Sequence, residues 1–124
     1  MTKLRWMEGE AVRKWLPHSD YNWALDEIRI VSDDPDVEPH VALSHEIAHR
    51  RLGHQGEGAL SSEVDAWNET VYYLMRSGEW TPEAKEQAIW ALSSYFAPTS
   101  DPEGEARQWI SRAESRARRL LRRY

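Results

Sequence analysis

The pentapeptide His45-Glu46-Ile47-Ala48-His49 constrains this chain more than any other stretch. In a helix it sets two imidazoles four residues apart on one face, where both can close on a single metal ion. Glu46 follows the first histidine directly, so its carboxylate can reach a metal-bound water without serving as a ligand. That is the pattern of a hydrolytic zinc site. With 5 histidines in 124 residues, a shuffled chain would contain HExxH roughly 2% of the time, and the flanking residues strengthen the signal. Val41, Ala48 and Leu52 form an apolar stripe beside the histidines, and Gly53 is placed to stop the helix as its C′ residue. Asp36 offers an N-cap with Pro39 in the first turn, so the site helix is expected from about Val37 to Leu52.

Two histidines leave a zinc ion (Zn2+) one protein ligand short. The glycine-containing loop from Gly53 to Ala59 predicts a tight reversal into a second helix that lies antiparallel beside the first, with Ser61 and Ser62 as cap candidates and Ser62 with Asp65 as a weak capping box. Leu60, Val64, Trp67, Val71, Leu74 and Met75 recur there at helical spacing and form its inner face. Three acids of this helix can supply the ligand: Glu63, Asp65 and Glu69. At 100° per residue, Glu63 lies about 60° from the centre of the apolar stripe, whereas Asp65 and Glu69 lie on the far side. Glu63 is therefore the expected third ligand. Asp65 and Glu69 are left as a solvated face or as outer partners that orient the histidines. His54 is one position too early for the extended HExxHxxGxxH motif and reads as a loop residue; His18 and His40 read as surface. A donor for a tetrahedral oxyanion is needed as well, and Tyr72, Tyr73, Tyr95 and His54 stay open as candidates.

The rest of the chain predicts one small α+β domain, mostly helical. A short amphipathic helix is expected from Glu8 to Leu16, ended by Pro17. Trp23 to Leu25 and Glu27 to Ser32 read as strands of a small antiparallel sheet. After Gly78, Thr81 caps a helix that starts at Pro82, runs to Phe96 and carries Ala88, Ile89, Leu92 and Tyr95 on one face. Ser100 with Glu103 is a second possible capping box, opening a last helix to about Arg122. The division is thus residues 1–99 for the site-bearing body and 100–124 for a basic amphipathic helix, either part of the same domain or a regulatory tail. From Arg107 to Tyr124 there are 7 arginines and one acid, a balance of +6, so against a net charge of −5 the remainder carries −11. The acidic body disfavours nucleic-acid binding; the basic helix can pack on the domain, block its cleft, or meet an acidic partner. An absence of cysteine excludes thiolate metal sites and disulfides. No apolar run approaches the 18 residues of a membrane span and no apolar leader opens the chain, so a cytoplasmic protein is expected.

His45-Glu46-Ile47-Ala48-His49-Arg50-Arg51-Leu52-Gly53-His54, followed by Glu63-Val64-Asp65-Ala66-Trp67, resembles the gluzincin-type metallopeptidases of the ImmA/IrrE-like and minigluzincin groups. Those combine HELAHxxLGH with a downstream Glu-Ala-Asp/Asn-x-Phe pattern. The resemblance implies a zincin-like fold, zinc held by His45, His49 and Glu63, and hydrolysis of a peptide or protein substrate with Glu46 as general base. It also implies that the strand before the site helix, Glu27 to Ser32, binds substrate along its edge. Valine replaces the usual alanine and tryptophan the usual phenylalanine, and no helix-turn-helix module accompanies the motif. The chain is closer to the stand-alone minimal peptidases, some of which are latent with a terminal segment in the cleft. The alternative expectation is a zinc-binding regulatory or interaction domain that does not turn over.

Overall fold

The computed structural model describes residues 2–9, 19–22, 24–31, 38–53 and 60–122. The expected helix from Glu8 to Leu16 lies almost wholly outside them, as do Asp36, His18 and His54. Among the described residues, three short strands precede four helices, an α+β architecture as the sequence predicts. The strands are β1 (Lys3–Met7), β2 (Asp20–Asn22) and β3 (Glu27–Val31); the helices are α1 (Pro39–Arg51), α2 (Leu60–Ser77), α3 (Pro82–Ser93) and α4 (Pro102–Leu121).

The sheet is mixed rather than antiparallel throughout. Its order is β1-β3-β2, with β2 antiparallel to β3 and β1 parallel to it, pairing Leu4 with Ile28 and Trp6 with Ile30. Of the strand expected from Trp23 to Leu25, Trp23 lies outside the described residues, and Ala24 and Leu25 are not strand. Ala24 to Asp26 turn the chain instead, because the Asn22 side chain accepts the Leu25 N–H at 3.2 Å and Asp26 adopts a left-handed φ of 47°, which an Asx residue tolerates. The Asp26 carboxylate then accepts from the Thr2 and Tyr21 hydroxyls and from Arg50. One turn is thereby tied to β1, β2 and the end of α1. β3 is the central strand, with a neighbour on each side, which corrects the expectation that its edge is open to a substrate strand. The edges belong to β1 and β2.

Helix α1 is sandwiched between the sheet and the other helices. Ala42 packs on Ile28 and Ile30, while Val41 enters the helical core with Trp67, Leu74, Ala88, Ile89 and Leu92. Pro39 occupies the first turn behind Glu38, and Gly53 stops the helix at φ +74°, its N–H bonding Arg50 O at 3.1 Å. Two other starts differ from expectation. α2 begins at Leu60, so Ser61 and Ser62 sit inside its first turn, and α4 is capped by Asp101, which accepts the Gly104 N–H at 3.1 Å, rather than by Ser100. Thr81 does cap α3, accepting from Ala84 at 3.1 Å.

The basic C-terminal helix is part of the core. Ile110 is fully buried in the main cluster, and Ala113 and Ala117 pack on Val71 of α2. Small side chains on this face let the two helices approach closely. Glu114, 7% exposed, accepts from Trp80 Nε1 at 2.9 Å and pairs with Lys85 at 3.0 Å. Burial raises its pKa, but the indole N–H and the ammonium outweigh that and hold it below the ordinary value of 4.5.

Removing residues 107–124 is expected to abolish cooperative unfolding rather than release any activity, and Ile110→Ala to cost about 2–4 kcal/mol in urea titrations. Because the Glu114 pKa is lowered on folding, its contribution is present above pH 4.5 and is lost as pH falls through the folded value. Glu114→Gln should therefore cost about 1–2 kcal/mol near neutral pH and less in acid, measured by denaturation across pH.

Candidate metal centre

Helix α1 delivers both imidazoles to one point. His45 Nε2 lies 3.1 Å from His49 Nε2, with ring centroids 4.6 Å apart and planes at 80°. From the first turn of α2, Glu63 spans the pair: Oε2 is 2.9 Å from His45 Nε2 and Oε1 is 3.0 Å from His49 Nε2. All three side chains are 10–14% exposed. Imidazole nitrogens and carboxylate oxygens are lone-pair donors to a cation, so three residues meeting at this range call for a positive charge among them, a proton or a metal. Ligands of a tetrahedral zinc ion with bonds of 2.0–2.1 Å stand about 3.3 Å apart. The observed separations come close to that before any ion is considered, and the three ligand atoms lie within 4.8 Å of one another. The donor set fits zinc, with two nitrogens, one carboxylate and room for a fourth ligand.

Charge follows the same geometry. Burial raises the Glu63 pKa, but hydrogen bonds from His45 and His49 and their positive charge outweigh it and hold the carboxyl well below its usual range. The N-terminal turn of a helix also favours an anion. Glu46, 6% exposed, is pushed well above the usual range, first by burial, then by the negative charges of Glu63 and Asp20.

Beside the histidine pair lies a cleft of about 330 Å³. His45, Glu46, Glu63 and Trp67 line one side of it; Val31 and Ser19 reach it from the sheet side, and Gln87, Trp90, Ala91 and Tyr95 from α3 and the turn after it. None of the described lining residues comes from α4.

Of the other sequence candidates, Tyr95 alone among the tyrosines lines the cleft. Its pKa is driven upward by burial and then by the nearby Glu63 and Glu46 charges, so its hydroxyl keeps its hydrogen at neutral pH. Tyr72 packs toward Val71 and Ala113, and Tyr73 accepts from Arg51 at 2.7 Å. Asp65 is exposed, and Glu69 pairs with Arg116 at 3.0 Å. His40 stands half-exposed at the start of α1, 3.9 Å from Glu38 and Glu79. Of two residues beside His45, Thr70 had no assigned role in the sequence and Trp67 only an apolar one. Trp67 stacks on its ring, and Thr70 Oγ1 lies 3.4 Å from its Nδ1. The signal for both was spacing: four and seven residues after Glu63, on the same helical face.

Zinc at a free concentration of about 100 Kd should add about 2.7 kcal/mol to unfolding stability. Chelation should remove that gain and Glu63→Gln most of it, as read by thermal denaturation with and without metal. Compared with known protein families, curated proteins and solved structures, the chain shows no significant match to any.

Proposed function

We propose that the chain is a zinc-dependent endopeptidase in which His45, His49 and Glu63 hold the ion and Glu46 is the general base. The observation that carries this reading is the convergence of two imidazoles and a carboxylate within 4.8 Å, beside a cleft that Glu46 lines. When bound, zinc supplies Lewis acidity: it polarises a carbonyl and lowers the pKa of a water. Glu46 takes a proton from the attacking water and passes it to the leaving amine. Tyr95, which also lines the cleft, donates its hydroxyl hydrogen to the oxygen on which negative charge develops.

The test is cleavage of a mixed peptide library by the zinc-loaded protein beside Glu46→Gln. Wild type is expected to cut. Glu46→Gln should keep stoichiometric zinc and lose at least about 10²-fold in rate. Tyr95→Phe should keep zinc as well and lose about 10²–10³ in kcat. Silence from a wild-type protein carrying one zinc would make this a regulatory or interaction domain instead.

A further inference from the structure

We propose that Thr70 and Trp67 are positioning residues that hold the ring of His45, so that its Nε2 points to where Glu63 and His49 converge. This rests on reading His45, His49 and Glu63 as metal ligands. Thr70 is fully buried, and its hydroxyl has one hydrogen to give. That hydrogen is committed to Ala66 O at 2.7 Å, the bond back to the preceding turn that helical threonines commonly make. Toward His45 Nδ1, 3.4 Å away, Oγ1 can therefore only accept, and the proton of the contact belongs to Nδ1. A ring held at Nδ1 presents its other nitrogen, Nε2, on the side away from Thr70. Nε2 is the atom that faces Glu63 at 2.9 Å and His49 at 3.1 Å.

Trp67 restricts the remaining freedom, rotation of the ring. The indole lies against the imidazole with centroids 4.0 Å apart and planes 22° from parallel. Trp67 is 3% exposed and its Nε1 has no hydrogen-bond partner, so its flat face is what it contributes here. Glu63, Trp67 and Thr70 stand at i, i+4 and i+7 of α2, one above another. The helix that supplies a ligand thus also grips the ligand facing it.

Thr70→Val keeps the shape and removes the hydroxyl, and Thr70→Ser restores the oxygen. Chelator competition on the full-length chain should show zinc affinity about 10- to 100-fold weaker in Thr70→Val and about 10-fold weaker in Trp67→Leu, with Thr70→Ser near wild type. Nitrogen-15 NMR of the metal-free chain at mildly alkaline pH gives a second reading. Wild-type His45 should carry a proton on Nδ1, and Thr70→Val should lose it. Wild-type affinity in Thr70→Val or Trp67→Leu, or a bare Nδ1 in wild-type His45, overturns the proposal. Should Thr70→Val not fold, the wild-type spectrum decides alone. Should the wild-type chain bind no zinc, the metal-site reading fails while the spectrum still tests Thr70.

Discussion

Glu63 is 13% exposed, and a carboxylate at that depth is tolerated only where donors or cations surround it, because desolvating an unpaired charge costs several kcal/mol or more. Its donors are His45 and His49, which belong to a different helix. α1 and α2 must therefore meet where these side chains cross, and much of the fold serves that meeting. The sheet supports the outer face of α1 through Ile28, Ile30 and Ala42. α3 and α4 back the inner face of α2 with Leu92, Ile110 and Ala113. Replacing Glu63 by an apolar residue would relieve the burial cost and leave the two imidazoles without the anion that draws them together.

Readability in the sequence followed the range of the interaction. The helices were legible because each carries its own period, and Gly53, Gly78, Thr81 and Pro82 mark ends through local backbone chemistry. The choice of Glu63 over Asp65 and Glu69 came from the angle of one side chain on one helix. Where partners lie far apart along the chain, the signal fades. β1 pairs in parallel with β3 across the whole β2 excursion, and nothing local in Lys3–Met7 announces it. Ala24 and Leu25 are apolar enough to read as strand, yet the Asn22 side chain and the left-handed Asp26 close the turn. Thr70 carried only its spacing from Glu63 as a signal. A buried threonine on an apolar face reads as filler until the imidazole nitrogen beside it is seen.

The charge asymmetry along the chain resolves largely within the molecule. Arg107 reaches Glu86 and Glu103, Arg116 reaches Glu69, and Lys85 of α3 reaches Glu114 of α4. Exposed pairs of this kind contribute little each, so α4 is held by Ile110 and its alanines and oriented by its arginines. No helix among the described residues is long and apolar enough to cross a membrane.

α1 is bounded on both sides by residues that cannot extend it. Pro39 has no N–H for a preceding turn, and Gly53 has already left helical space. A helix free to lengthen or creep by one residue would swing every side chain by 100° and carry both histidines away from the cleft. With its register pinned at each terminus, length changes in the segments on either side are absorbed outside the helix. Those segments can vary in evolution without the two imidazoles losing their common point.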